Sequence, residues 1–330
     1  MTDLLEKYMQ PTYDFIQGDC IPTMHRLAAE ARKFDISVFS PPFASLFAYS
    51  DHEADMGNSK DSDSEFLLHY EFFAKALFPI MQDGSFVCVH LQQVQRTKGG
   101  HGHMGLFDIR GYVNRIMDDA GFLLYGEVAI PKNPQAQSIS KKVHQLQFSQ
   151  WQKDSRVSRP ALADWLQIYK MPGQHPAKVR PIENNGMSND VWIKWADMNW
   201  VSRFEQICYP QSVWLGINET HCLNNAASVE RVIGRHHKPA NTKFDGDERH
   251  MCPLQLDLIE RCVLLWSNPG ETLFTPFGGI GSEPLVALQH DRHAVAVELN
   301  PAYVDEGRRN CDGILARKRE EKKQLFFNFD

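Results

Sequence analysis

The sequence predicts an α/β fold, a largely parallel sheet with helices on both faces. Three observations carry this. Short apolar runs alternate with amphipathic stretches at both ends of the 330-residue chain. Glycine and Asn-Pro-Gly punctuation closes two of the helical stretches. Near the C-terminus, one strand runs through a glycine turn into a helix and then into another strand.

In chain order, YDFIQGD (13–19) and DISVFS (35–40) read as short buried strands, EFLLHYEFFAKALFPIM (65–81) as an amphipathic helix and GSFVCVH (84–90) as a buried strand. LFDIRGYVNRIMDDAG (106–121) reads as a helix closed by glycine, and FLLYGEVAI (122–130) as the strand after it. From about 135 to 250 the rhythm is lost. That stretch holds six of the seven tryptophans and asparagine-rich pieces such as ENNGMSND, and it reads as an inserted, less regular region. Regularity returns in CPLQLDLIERCVLLWSNPG (252–270), a helix with Pro253 in its first turn and Ile259, Cys262, Val263 and Trp266 on one face. The last unit is a strand (271–275), a glycine turn (278–281), a helix (282–290) and a strand (293–298).

At 42% hydrophobic residues the chain has enough apolar side chains for a substantial core. No run approaches the roughly 20 apolar residues of a bilayer span, and the N-terminus lacks the basic and apolar regions of a signal peptide. Seven scattered cysteines, without a CxxC pair, fit neither a disulfide framework nor a zinc site, so a cytoplasmic location is expected. The histidines at 90, 101, 103, 236 and 237 lack matched ligand spacing, and no metal is expected. Net charge is -6, but unevenly divided: residues 132–180 carry nine Lys/Arg against Asp154 and Asp164. Such a tract fits a phosphate-tracking surface, and equally a solvated charged face.

Two short motifs carry chemistry. Ser40-Pro41-Pro42-Phe43 ends a strand on two residues that donate no backbone hydrogen bond and have fixed φ, so the chain leaves the sheet as a preset turn. A hydroxyl, a proline carbonyl and a ring then form a cradle suited to a flat group bearing an NH2, or an ordinary strand exit with a core phenylalanine. The glycine turn 278–281 allows close backbone approach to a ligand, and Glu298 at the end of the next strand is placed to hold a ribose diol. Dinucleotide binding, S-adenosylmethionine binding and plain helix–sheet packing all remain open on that turn alone.

Together, SPPF near the N-terminus, Asn133-Pro134 after a later strand, and HMCPLQLDLIERCV, PFGGIGS and VELNPAY near the C-terminus resemble the permuted β-class of amino-DNA methyltransferases. These transfer a methyl group from S-adenosylmethionine to an exocyclic amine of cytosine or adenine. The resemblance implies a Rossmann-like methyltransferase sheet with circularly permuted motif order. A catalytic half (1–134) precedes an inserted target-recognition region (135–250) and a cofactor half (251–330). It assigns Ser40, Pro41, Pro42 and Phe43 to catalysis. Phe277, Gly278, Gly279, Gly281 and Ser282 fall on the cofactor loop, Glu298 on the ribose, and Asp19 beside the adenine. His250, Pro253 and Gln255 fall in the segment over the methionine end. Thr275 stands where the family commonly has Asp, which removes a carboxylate from the methionine contact. Double-stranded DNA is the implied partner, with Lys132, Asn133, Lys141, Lys142, Lys153, Arg156 and Arg159 as candidate contacts and Tyr49, Gly57 and Asn58 as candidate pocket lining. The enzyme is expected to act as a monomer or homodimer. An initial Ser in the catalytic motif is associated with cytosine N4 more often than with adenine N6.

Overall fold

The computed structural model describes residues 10–42, 56, 63–96, 102–132, 152–157, 162–196, 214, 217, 221–223 and 253–327. Within them lies a seven-stranded sheet in the order β1-β9-β8-β2-β3-β7-β6. Its strands are β1 (Tyr13–Gln17), β2 (Phe34–Phe39), β3 (Met81–Gln92), β6 (Leu123–Ile130), β7 (Asp164–Lys170), β8 (Thr272–Thr275) and β9 (His293–Glu298). The pairs β1/β9, β9/β8, β8/β2 and β2/β3 are parallel, whereas β7 runs antiparallel to both β3 and β6. A separate two-stranded ribbon joins β4 (Val94–Arg96) to β5 (Gly105–Phe107).

Successive residues of a strand face opposite sides, and here both sides are covered. On one side Val87, Val89, Leu91, Val295 and Val297 meet helices α1 (Cys20–Ala29), α2 (Asp63–Leu77) and α3 (Ile109–Asp119). On the other, Ile36, Val38, Cys88 and Leu273 meet α6 (Leu256–Trp266) and α7 (Ser282–Gln289). Phe15 and Ala296 pack with Val304, Cys311 and Ile314 of the long helix α8 (Pro301–Phe327). Two shorter helices, α4 (Pro181–Asn185) and α5 (Asn189–Ala196), follow β7.

Three expectations are corrected. Residues 106–107 belong to β5, because Val94–Arg96 offers them a ladder and Asp108 caps α3 by accepting from Gly111 N–H at 3.2 Å. Helix α6 starts at Leu256, leaving Pro253 before it: Gln255 bridges to Cys222, and Leu256 N–H donates to His221 C=O at 2.9 Å, so 253–255 is held extended. The region 135–250 also supplies β7, an interior strand of the main sheet, whose buried Leu166, Ile168 and Tyr169 fit a two-faced core position. Among the described residues no helix is long and apolar enough to cross a membrane.

Candidate active site

The connectivity defines where a site belongs. From β8 the chain passes through α7 to β9 on one side, and from β2 through α2 to β3 on the other. The switch point therefore lies between β8 and β2, and a crevice opens there at the carboxyl ends of the strands. Ser37 pairs with Phe274 in register, and its Oγ donates to Phe274 C=O at 2.9 Å. Three residues beyond each partner stand Ser40 and Phe277. The two loops are packed together, with the Phe39 and Phe277 rings 5.8 Å apart and Phe73 of α2 5.2 Å from Phe277. The fold thus brings together the proline turn and the glycine turn, which lie more than 230 residues apart in sequence.

The glycine turn is tightly built. Gly281 adopts φ +88°, the left-handed region, as it caps α7 without a side-chain hydrogen bond, which leaves the first helical N–H groups unpartnered by that cap. A Cβ on Gly278 would come 3.0 Å from Ala296 Cβ and 3.1 Å from Phe15, so a larger residue would have to push the loop and the sheet apart by a few tenths of an ångström. Glu298 braces it: its two carboxylate oxygens accept from Gly279 N–H and Asn300 N–H, both at 2.8 Å. Gly18 N–H donates to Glu298 C=O at 2.9 Å, which places Asp19 beside Glu298 on the neighbouring strand end. Asp19 itself caps α1 through Ile21 N–H at 2.9 Å.

Among the described residues, Thr275 Oγ1 at the end of β8 and Gln255 Oε1 before α6 are buried polar atoms without a hydrogen-bond partner. Leu254 and Leu256, flanking Gln255, share a core cluster with Ile280 of the glycine turn. An unpaired buried polar group costs free energy unless a ligand pairs it. These two acceptors, the uncapped helix start and the Glu298 carboxylate fit a ligand with a ribose at one end and an amino-acid moiety at the other. In the first turn of α7, burial pushes the Glu283 carboxyl up to about 8, and the nearby Glu298 charge adds to the rise.

The proline turn carries a feature that the sequence did not reveal. Ser40 Oγ lies 3.2 Å from His90 Nδ1 and 3.3 Å from His90 C=O, and His90 Nε2 lies 3.0 Å from Asp164 Oδ2. Lys132 Nζ approaches the same Asp164 oxygen at 2.7 Å, and Gln92 Nε2 donates to the other at 2.6 Å. His90 and Asp164 are 6% and 3% exposed. Burial opposes the Asp164 charge, but His90 and Lys132 outweigh it and hold the carboxyl at about 2. No spacing rule joins residues 40, 90, 132 and 164. Only strand register does, since Phe39 pairs with Val89, Gln92 with Asp164 and Ile130 with Asp164.

Other expected site residues divide. Pro41 is buried and Pro42 half-buried at the turn, while Ser282 is buried at the start of α7. Lys132, expected to face phosphates, instead turns inward onto Asp164 with its side chain 11% exposed. Lys153 and Arg156 are exposed, and the Arg156 side chain, 90% exposed, meets Asp154 at 3.1 Å. Phe43, Tyr49, Gly57, Asn58, Asn133, Lys141, Lys142, Arg159 and His250 lie outside the described residues.

A family model described as a DNA methylase, covering N6 and N4 methyltransferases, matches residues 34–309. The type II methyltransferase M.Cfr9I of Citrobacter freundii is 42% identical over 66 residues, 20% of this chain and 21% of that protein. M.BglI of Bacillus subtilis is 20% identical over 247 residues, 73% of this chain and 56% of that protein. The chain thus spans from about a fifth to just over half the length of the curated relatives it matches. Among solved structures, a protein of Thermus thermophilus assigned as a DNA modification methylase, in complex with S-adenosyl-L-methionine, superposes with a TM-score of 0.61 at 14% identity, covering 92% of this chain and 95% of that one. That likeness shows a shared fold, and the family model spans both halves of the site described above. The chain belongs to the N6/N4 amino-DNA methyltransferase family.

Proposed function

We propose that the protein transfers a methyl group from S-adenosyl-L-methionine to the exocyclic amine of a base in double-stranded DNA, with cytosine N4 as the target. The observation that carries this reading is the abutment of the Ser40-Pro41-Pro42 turn and the Phe277–Gly281 loop at the switch point, joined through the Phe39 and Phe277 rings. When bound, the cofactor supplies a methyl group activated on a sulfonium sulfur. Glu298 would hold its ribose, Asp19 the region of its adenine, and Gln255, Thr275 and the start of α7 its methionine end. With Thr275 in place of a carboxylate, this end relies on neutral donors and acceptors.

An exocyclic amine is a poor nucleophile because its lone pair is delocalised into the ring. Acceptors on its two hydrogens favour a tetrahedral nitrogen and free that pair. Ser40 Oγ and the Pro41 carbonyl supply such acceptors, and the fixed φ of two prolines sets their position in advance. The target nitrogen lies inside the duplex, so the base has to be flipped out, at a cost of a few kcal/mol that stacking on Phe43 offsets. The chain order is read as a catalytic half, a recognition region and a cofactor half. The recognition role is assigned to 135–250 apart from β7, and the phosphate contacts to Lys153, Arg156 and the remaining cations of that tract rather than to Lys132.

Incubation with labelled S-adenosyl-L-methionine and unmethylated DNA, followed by nucleoside mass spectrometry, tests this. N4-methylcytosine is the expected product. N6-methyladenine would move the target within the same family. No label in any DNA would overturn the enzymatic reading in favour of a DNA-binding protein that kept the fold.

A further inference from the structure

We propose that His90 and Asp164 form a buried relay behind Ser40, which sets the direction of the serine hydroxyl and receives the proton released from the methylated amine. This rests on the methyl-transfer reading.

The partners fix the hydrogen positions. Asp164, held as a carboxylate between Lys132 at 2.7 Å and Gln92 at 2.6 Å, accepts only, so His90 Nε2 carries the hydrogen in their 3.0 Å bond. In the neutral ring Nδ1 is then an acceptor, 3.2 Å from Ser40 Oγ. The hydroxyl hydrogen is drawn toward Nδ1, or toward His90 C=O at 3.3 Å, and in either case inward. The Oγ lone pairs face away from the sheet, where an amine N–H would donate to them. A serine without this backing is free to turn its hydrogen toward the base and so lose its role as acceptor.

The same order of bonds provides a route for a proton. On methylation the amine nitrogen gains a carbon and a positive charge, and it must shed one hydrogen. That proton passes to Ser40 Oγ as the hydroxyl proton passes to His90 Nδ1. One N–H bond breaks at the amine, one O–H bond is exchanged at Ser40 and one N–H bond forms on the ring. The resulting imidazolium faces the Asp164 carboxylate and later gives its proton to water. Among the described residues, Asp164 from β7 pairs with His90, and Lys132, just beyond β6, pairs with the same Asp164 oxygen. Their opposite charges keep the buried cluster near neutrality before the proton arrives. His90 acts through Ser40 and is a positioning residue with a proton-accepting role.

Two substitutions separate the two parts of the role. His90→Phe removes both and is expected to lower single-turnover methyl transfer on the order of 100-fold, with the cofactor dissociation constant little changed and a lower melting temperature, since the buried Asp164 carboxylate loses a partner. His90→Gln keeps an amide that can face both Ser40 and Asp164 but takes up no proton. It should retain more turnover than His90→Phe while losing the acid limb of the wild-type pH profile. Independently of activity, 15N NMR of the histidine rings, with His90 assigned by its loss in the variants, should show the neutral form protonated at Nε2 and bare at Nδ1. Wild-type turnover in His90→Phe, an acid limb that survives there, or a ring protonated at Nδ1 would each overturn the relay. A wild-type protein that transfers no label would defeat the functional reading instead, and the ring protonation would still judge the bond order proposed here.

Discussion

The two edges of the same sheet are built on opposite principles. At the amino end, charged and polar groups are closed into networks. The Arg292 guanidinium, 1% exposed, donates to Ser267 Oγ at 3.0 Å and to Ser267 C=O at 2.6 Å, and also reaches Asn185 Oδ1 and His290 C=O. Asn268 donates its backbone N–H and its side chain to the two Glu271 oxygens, and Asp35 accepts from Thr272 N–H at 2.8 Å and meets His175 at 3.2 Å. Asp35, His175 and Glu271 lie close enough to hold a metal ion, yet these hydrogen bonds already engage all three side chains. At the carboxyl end, Thr275 Oγ1 and Gln255 Oε1 are buried without partners among the described residues, and α7 starts without a side-chain cap. Among the described residues, one edge closes most of its polar groups within the chain, the buried Ser85 Oγ excepted, and holds α4, α6 and three strands together. The other leaves bonding capacity for a ligand, and stability forgone in this way is common where a site must bind something else.

Breaking one edge should therefore leave the other's property intact. The largest effect is expected from Arg292→Met at the amino edge, which strands the Ser267 and Asn185 acceptors in the core. Loss of about 3–5 kcal/mol in chemical denaturation is expected, with methyl transfer by the protein that remains folded close to wild type. A loss below about 1 kcal/mol would show that the network is not what holds this edge. Ser40→Ala does the converse: single-turnover rate should fall on the order of 100-fold, with the denaturation midpoint unchanged. Glu298→Gln comes next, and should weaken cofactor binding about tenfold in a calorimetric titration, because the charge that orders Gly279 and Asn300 is gone. Unaltered affinity would remove Glu298 from the cofactor site.

Glu283 sharpens the contrast through pH. Its carboxyl is raised from 4.5 to about 8 in the folded protein, chiefly by burial, so the folded state binds a proton that the unfolded chain gives up. Folding stability is then undiminished below about pH 4.5, falls as pH rises through the interval to about 8, and stays low above it. Glu283→Gln should match wild type at pH 4.5 and exceed it at pH 9 in paired denaturation curves. An equal difference at both pH values would mean the carboxyl is not held neutral. The smallest change is expected from Thr275→Val, where no hydrogen bond is lost: stability should stay within about 1 kcal/mol, with cofactor affinity as the quantity that moves.

What the sequence revealed follows the range of the interactions involved. The glycine turn, α7 and the acid at the end of β9 lie within one strand–turn–helix–strand unit, so their spacing alone located them. The proline turn was legible because φ restriction belongs to the residue itself. Strand β7 is not legible in DWLQIYK, which is flanked by the basic tract and by loops, because its place between β3 and β6 is decided by pairing partners far away in sequence. In the sequence His90 is one of several histidines without matched spacing. Its meaning depends on Asp164, 74 residues later, and no local pattern encodes a register. The start of α6 was misjudged for a similar reason, since the bridge to Cys222 outweighs the helix-starting preference of Pro253.

The reversed direction of β7 has an evolutionary consequence. Because β6 ends and β7 begins at the carboxyl edge, with Ile130 opposite Asp164, the chain between them departs and returns at neighbouring points beside the site. A segment anchored in this way can gain or lose residues while its two ends stay in place. Doubling its length adds only about 0.6 kcal/mol of closure entropy. The sheet thus separates residues fixed by strand register from a span whose length can change. A change in that span leaves the strands that carry Ser40, His90 and Asp164 in register.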